Sequence, residues 1–560
     1  MLHAASVRSA PVWGLLALSA CAVLLAASPS FAADGSSSSR DKLDYIDQLI
    51  RQGWADNGVS PSPQATDQEW VRRVYLDVVG RIPSVDEVKA YVSDRSPDKK
   101  RKLVQKLLYS DEYVEDYARN WTTIWTNILI GRTGGTDRRS MVSREGMQQY
   151  LRRAFLTNKA YDQLVYELIS AQGANKPGEP DYNGAVNFLL DNLQENATPA
   201  TSKVAQIFLG IQVQCTQCHN HPFNDWKQDQ FWGFNAFFRQ ARGIATRTGG
   251  EVSVARLVDE DFRGEGSNPR EAEIYYELRN GLLKVAYPTF VDGTKINPNG
   301  YVSEVNRRQE LAKLVRSSPN LAQAMVNRMW AHFFGYGFTK PVDDMGPHNS
   351  PTHPELLERL GKDFAAYGYD IKQLIQWITL SEAYGLSSRY TRQNMRDDPN
   401  LGERPLFSHF YMRQMTAEQL YESLLVATEA HKTRGSYEDQ ERQKSEWLQQ
   451  FSVAFGNDEN TETTIFNGTI PQTLMMWNGE LIRKATSSEP GSLIARLASS
   501  KLSNAEKVEY LYMAALSRAP NSNEMKIAQN AWRARGGNTV AALQDIFWVV
   551  LNSNEFILQH

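Results

Sequence analysis

The most distinctive chemistry in the chain lies in residues 214–221, which read QCTQCHNH. The spacing Cys215-x-x-Cys218-His219 is the attachment signal for c-type haem. Two thiols at this spacing can form thioethers with the two vinyl groups, and the adjacent histidine can reach the iron as its proximal ligand. The pattern therefore predicts covalently bound haem c and electron transfer.

Two other chemistries fit the same residues. Cys215, Cys218 and His221 could bind zinc or iron together with a distant fourth ligand. His219 is less suited to join the cysteines at one zinc ion, because adjacent residues on a helix point in different directions. The two cysteines could instead form a local disulfide, either structural or redox-active. The sequence favours haem and leaves the other two possibilities open.

A second group of potential ligands lies within residues 341–353. It contains Asp343, Asp344 and His348, on a predicted loop of the kind that often carries functional residues. The simpler interpretation is that the aspartates cap a turn. His332 is a further potential metal ligand. Candidates for a sixth haem ligand are His332, His348, His353, His409, Met329 and Met345.

No hydrolase or nucleotide-binding motif accompanies these residues. The chain lacks G-x-S-x-G, H-E-x-x-H and a phosphate-binding glycine loop. The net charge is −3, and no long block of like charge indicates a nucleic-acid partner or a polybasic membrane patch. We therefore leave enzyme activity open. The partner that haem c would imply is a redox protein of the cell envelope.

The first 32 residues predict a signal peptide. Arg8 precedes an apolar run over residues 12–27, and residues 30–32 (SFA) fit a small-x-small cleavage site. Cys21 ends the stretch LSAC, which resembles a bacterial lipobox. We therefore expect an extracytoplasmic protein, either periplasmic, secreted or at the cell surface. A lipoprotein that contacts the membrane through Cys21 is the alternative.

Helical periodicity dominates on both sides of the cysteine block. The apolar pattern before the block predicts helices over 41–54, 69–79, 99–108, 113–130, 141–156, 161–171 and from Thr198-Pro199 onward. The pattern after residue 304 predicts helices over 307–315, 321–334, 354–366, 371–381, 416–428, 438–450, 505–516 and 540–551. Both halves of the chain are therefore expected to be helical.

A small β-rich insertion interrupts the helical pattern. Residues 251–258 and 272–285 are rich in β-branched and aromatic residues, and Asn280-Gly281 is a strong hairpin signal. The sequence thus predicts a mainly α, multi-helical two-domain protein with a small β-rich insertion. Its expected parts are a signal peptide (1–32), a linker (33–40), an N-terminal helical domain with the CxxCH block (41–241), the insertion (242–303) and a C-terminal helical domain (304–560).

Several longer motifs resemble a known pair of domains. Residues 74–83 (VYLDVVGRIP), together with the cysteine block, resemble the domain of unknown function DUF1549. Residues 327–335 (NRMWAHFFG) and 341–349 (PVDDMGPHN) resemble its partner, DUF1553. The resemblance covers nearly all of the predicted mature chain and is to a family abundant in planctomycete-type bacteria. It implies a loose link with cytochromes and no specific activity.

The export prediction can be tested on the native protein. We expect mass spectrometry to find a mature N-terminus at Ala33, because cleavage follows the small-x-small pattern. An acylated N-terminal Cys21 would contradict soluble export and establish the lipoprotein alternative.

Overall fold

The computed structural model describes residues 35–222, 224–429, 435–455, 477 and 479–560. The predicted signal peptide and its cleavage site lie outside these residues. Within the described ranges, no helix is long and apolar enough to cross a membrane. The described chain is mainly α-helical with small two- and three-stranded sheets, which confirms the predicted fold class.

The chain before the cysteine block is helical apart from one short strand, and every helix predicted there is present. Its elements are α1 (Gly35–Asp56), α2 (Asp67–Val79), α3 (Val85–Ser93), α4 (Lys99–Tyr109), α5 (Val114–Ile130), α6 (Arg144–Leu156), α7 (Tyr161–Ser170), β1 (Gly173–Ala174), α8 (Val186–Leu190) and α9 (Gln194–Leu209). The periodicity missed the short α8 and also α3, although a capping box between Ser84 and Glu87 marks the start of α3.

Two helices start at positions that differ from the predicted ones. α1 begins at Gly35 and so includes most of the predicted linker (33–40). Ile46 and Ile50 are buried in this helix, and once a buried stripe holds a helix, each further residue adds a hydrogen bond at little cost. α9 contains a break with positive φ at Glu195–Ala197. Its regular part therefore begins at the predicted Thr198.

α10 (Gln228–Asn235) and then four strands follow the cysteine block. β2 (Ala241–Thr248) and β3 (Glu251–Asp259) form an antiparallel hairpin, and β1 pairs with the other edge of β3. β4 (Ile274–Glu277) and β5 (Leu283–Ala286) form a second hairpin. Its turn contains Gly281 at φ 80°, which is the conformation that made Asn-Gly a hairpin signal.

Helices return at Arg307, and every helix predicted after residue 304 is present. The elements are α11 (Arg307–Ser317), α12 (Pro319–Phe334), α13 (Pro354–Ala366), α14 (Ile371–Thr379), β6 (Arg413–Gln414), α15 (Ala417–Ala427), α16 (Tyr437–Phe455), α17 (Glu480–Ala485), α18 (Leu493–Ser499), α19 (Asn504–Leu516), α20 (Ser522–Ala534), α21 (Thr539–Leu551), α22 (Asn554–Ile557) and β7 (Leu558–Gln559). The helical periodicity missed α17, α18, α20 and α22.

Apolar side chains form two large cores that both combine residues from the two halves of the chain. One core runs from Tyr45 to Tyr411. The other is built mainly from residues 415–557, and it also includes Leu76 of α2 and Ile82. Burial of apolar area is the main favourable term in folding. The two halves therefore stabilise each other.

Two buried arginines at the start of α11 hold the β-rich segment. Arg308 Nε lies 2.6 Å from Asp259 Oδ1 at the end of β3, and both side chains are buried. Arg307 donates hydrogen bonds to the carbonyl oxygens of Ala236 and Ala272. Because a buried guanidinium needs such partners, these contacts set the position of the segment against α11.

Asp77 of α2 joins three distant parts of the chain. Its buried carboxylate forms an ion pair with Arg413 of β6 and accepts a hydrogen bond from Tyr384 Oη at 2.6 Å. The Asp77 carbonyl oxygen lies 3.0 Å from His332 Nε2 on α12. One residue thus connects α2 with α12 and β6.

We expect Asp77→Asn to lower the free energy of unfolding by about 3–5 kcal/mol, because the substitution leaves a mostly buried guanidinium without its carboxylate. The matched control is Asp545→Asn, which breaks the exposed ion pair between Arg535 and Asp545. The control should cost less than about 1 kcal/mol. Urea unfolding followed by circular dichroism measures both values, and equal losses would contradict the anchoring role of Asp77.

Candidate functional site

The cysteine block lies on a short turn that is held through its other residues. A 3₁₀ turn spans Gln214–Gln217. Thr216 is buried, and its hydroxyl donates to a backbone carbonyl oxygen three residues earlier at 2.6 Å. The Gln217 carbonyl oxygen accepts hydrogen bonds from Gln228 Nε2 and Trp232 Nε1, each at 3.1 Å. The turn is therefore positioned without using either thiol.

Both thiols of the block are available for chemistry. Cys215 and Cys218 are exposed and are not joined by a disulfide in this structure. Exposed sulfurs can react with an incoming group without unfolding of the turn.

The hydrogen bond of His219 determines which ring nitrogen could bind a metal. His219 Nδ1 lies 2.7 Å from the carbonyl oxygen of Asn220. Because a carbonyl oxygen only accepts, Nδ1 carries the proton and Nε2 of the neutral ring keeps its lone pair. Metal-ligating histidines commonly show this arrangement, with the second nitrogen bonded to a carbonyl or carboxylate.

His221 has the opposite arrangement. The backbone N–H of Asn224 donates to His221 Nδ1 at 3.2 Å, so the neutral ring carries its proton on Nε2. Burial lowers the pKa of His221, and the nearby His348 lowers it further, which favours the neutral ring. Ligation through Nε2 would require a change of tautomer and the loss of the bond from Asn224.

The second predicted loop lies beside the cysteine block. Asp344 Oδ2 is 2.8 Å from His348 Nε2, and the ring centroids of His348 and His221 are 5.9 Å apart. The backbone N–H of Met345 donates to the Gly210 carbonyl oxygen at 2.8 Å. The structure therefore brings together two loops that are distant in sequence.

Gly210 allows this close approach. It ends α9 in the left-handed conformation, with φ 65°, which favours glycine. A Cβ atom at this position would lie 2.5 Å from Met345 Cε. A larger residue would therefore displace the end of the Met345 side chain.

The other predicted ligands have separate roles. Asp343 forms an ion pair with Arg328, and His332 contacts the Trp121 ring at 5.0 Å as well as the Asp77 carbonyl oxygen. Three further sixth-ligand candidates are buried in the core or bonded to the backbone, namely Met329, His353 and His409. Of the six candidates, His348 contacts His221 in the block and Met345 contacts Gly210 shortly before it.

No complete coordination shell is present in the part of the chain that the structure describes. No group of three or more His, Cys, Asp or Glu side chains there is arranged to hold a metal ion. The residues of the block and its neighbouring loop therefore form potential ligand pairs rather than a preformed zinc site.

A cavity of about 410 Å³ lies next to the second loop. Its walls come from α5, α12, residues 341–343 and the segment that leads into α15. Arg132, Arg413 and Glu418 line it, and the sequence analysis identified none of these residues. They come from separate elements without a shared motif, so no signal in the sequence could have grouped them.

Comparison with protein families matches two consecutive parts of the chain. Residues 45–243 match PSCyt2, described as a protein of unknown function (DUF1549). Residues 307–532 match PSD1, described as a protein of unknown function (DUF1553). The chain belongs to the family that pairs DUF1549 with DUF1553. No curated protein and no solved structure matches the chain.

The DUF1549 match contains the cysteine block, and the DUF1553 match contains the Asp344–His348 loop. The contact between His221 and His348 is therefore a contact between the two family regions. Residues 244–306, with most of the β-rich segment, lie in neither match.

His353 should make stability depend on pH. Burial lowers the pKa of His353 from 6.5 to about 4, so the folded state favours the neutral ring. This contribution is complete above pH 6.5 and is lost as the pH falls towards 4, because the unfolded chain binds the proton first. Between pH 7.5 and 4.5, wild-type protein should lose about 2–3 kcal/mol through this group.

Urea unfolding of wild type and His353→Gln at both pH values measures this contribution. His353→Gln should show a smaller loss on acidification than wild type. The same pH dependence in both proteins would contradict the burial effect.

Proposed function

We propose that the chain is an extracytoplasmic electron-transfer protein that holds haem c at Cys215, Cys218 and His219. The observation that carries this proposal is the exposure of both thiols together with the tautomer of His219. Both thiols are exposed and unpaired, and the Nδ1 bond to Asn220 leaves His219 Nε2 with a free lone pair. The bound haem would supply one-electron redox chemistry.

Each residue of the block has a distinct part in this proposal. The thiols of Cys215 and Cys218 would each add across one vinyl group, a step that needs no oxidant. His219 would serve as the proximal ligand. The exposed position of the cysteines on the turn supports contact with a redox partner protein of the cell envelope. Among the sixth-ligand candidates, His348 contacts His221 of the block, and Met345 donates a hydrogen bond to Gly210 shortly before the block.

The contact between His221 and His348 favours one alternative function. In this alternative, Cys215, Cys218 and His221 bind a zinc or iron ion, and the Asp344–His348 pair takes part in an extracytoplasmic metal-dependent reaction. The hydrogen bond from Asn224 to His221 Nδ1 is the feature that this alternative must break. A structural or interaction protein of the cell envelope, with a disulfide at the block, is the remaining possibility.

Two histidine substitutions separate the haem and zinc functions. Protein from a host that matures c-type haem should be red, with a pyridine haemochrome spectrum and a mass increase of one haem. His219→Ala should abolish the native low-spin spectrum, because it removes the proximal ligand. His221→Ala should preserve that spectrum. Absorption spectra and intact-protein mass measure these outcomes.

The zinc alternative reverses the order of the two variants. His221→Ala should then release the metal and lower the melting temperature, because zinc binding contributes to folding stability, whereas His219→Ala should have the smaller effect. Elemental analysis follows the metal. Colourless wild-type protein of unmodified mass, made in the haem-maturing host, would contradict the haem proposal.

A further inference from the structure

We propose that the cavity between α5 and α12 binds a small organic acid, with Arg328 as the anchor for its carboxylate. The cavity volume of about 410 Å³ is in the range of small-molecule sites. The proposal concerns a site distinct from the cysteine turn, since neither cysteine lines the cavity. It does not depend on haem.

Three arginines line the cavity, but two of them are committed to protein partners. Both terminal nitrogens of Arg132 donate to the Glu418 carboxylate. Arg413 donates through Nε to Gln559 Oε1 at 2.9 Å and through Nη2 to the Asp77 carboxylate. These two guanidinium groups are therefore held in place by ion pairs.

Arg328 has the most unused donors of the three, since Arg132 Nε and Arg413 Nη1 are each the one nitrogen of their group without a partner among the described residues. Arg328 uses only Nη2, in its ion pair with Asp343. Its Nε is buried without a hydrogen-bond partner among the described residues, and Nη1 donates to no side chain or backbone group there. Nη1 can therefore donate to a ligand oxygen in a charge-assisted hydrogen bond.

Neutral amide side chains also line the cavity. Gln212 and Gln414 line it and make no side-chain hydrogen bond within the described part of the chain. Gln206 also lines it, and its Oε1 accepts from Gln214 Nε2 at 3.4 Å, which leaves the Gln206 amide nitrogen available. Asp343 and Glu418 also line the cavity, but each is paired with an arginine, so the remaining unpaired donors favour an anionic oxygen ligand such as a carboxylate.

The rest of the cavity suits an apolar body. Its walls include Ile124, Ile128, Met329 and Met415. An apolar chain or ring placed against these side chains gains free energy from removal of its surface from water. A molecule with one carboxylate and an apolar body therefore matches the polar and apolar side chains that line the cavity. Gln206, which lines the cavity, also accepts a hydrogen bond from Gln214, the residue that precedes Cys215.

Calorimetric titration of the full-length protein with 3-phenylpropanoate, and with the neutral 3-phenylpropanamide of the same shape, tests the proposal. The carboxylate should bind and raise the melting temperature, and the amide should bind at least about tenfold more weakly because it lacks the charge-assisted hydrogen bond. Equal affinities, or no binding of the carboxylate at millimolar concentration, would overturn the proposal.

Three variants locate the binding site. Arg328→Lys keeps a positive charge beside Asp343 but lacks the planar fork, so it should weaken carboxylate binding by about tenfold. Gln212→Leu, which breaks no ion pair, should weaken it by a smaller factor. Arg316→Lys is the matched control, since Arg316 pairs with Asp162 and does not line the cavity. It should bind as wild type does.

Unchanged affinity in both Arg328→Lys and Gln212→Leu would overturn the assignment of this cavity. If Arg328→Lys fails to fold, as shown by circular dichroism, the Gln212→Leu result and the difference between carboxylate and amide decide the question. Binding of the carboxylate that survives Ala331→Phe, which fills the cavity from α12, would also overturn it.

Discussion

Buried Asp77 makes the interactions on which the shape of the cavity depends. Its carboxylate neutralises Arg413, and Arg413 forms part of the cavity wall. Its backbone carbonyl oxygen contacts His332 on α12, the same helix that carries Arg328. A buried charge is tolerated only when its partners are in place. The cavity wall therefore has its observed shape only when α2, α12 and β6 are assembled together.

Contact between the two family regions is a second constraint. The core from Tyr45 to Tyr411 brings α9 and α12 together, and the hydrogen bond from Met345 to Gly210 continues this contact to the cysteine block. His348 reaches His221 only as a result of this packing. A DUF1549 region without its DUF1553 partner would lack the second loop of the site.

The cysteine block and the cavity differ in the kind of chemistry that they offer. The block presents reactive groups at the surface, since both cysteines are exposed. The cavity is lined by Arg328, by glutamine amides and by apolar side chains. Gln206 and Gln214 connect the two through one side-chain hydrogen bond. A redox group at the block and an organic acid in the cavity would thus be neighbours in the folded protein.

The sequence by itself determined most of the helices, the Asn280-Gly281 hairpin and the cysteine block, because each depends on local periodicity, turn conformation or short spacing. Only the tertiary structure decided that His348 lies beside His221 and that Arg132, Arg328 and Arg413 share one cavity. These residues are far apart in the chain and carry no joint motif. Their proximity arises from helix packing, in which burial of apolar surface brings together side chains that no local pattern relates.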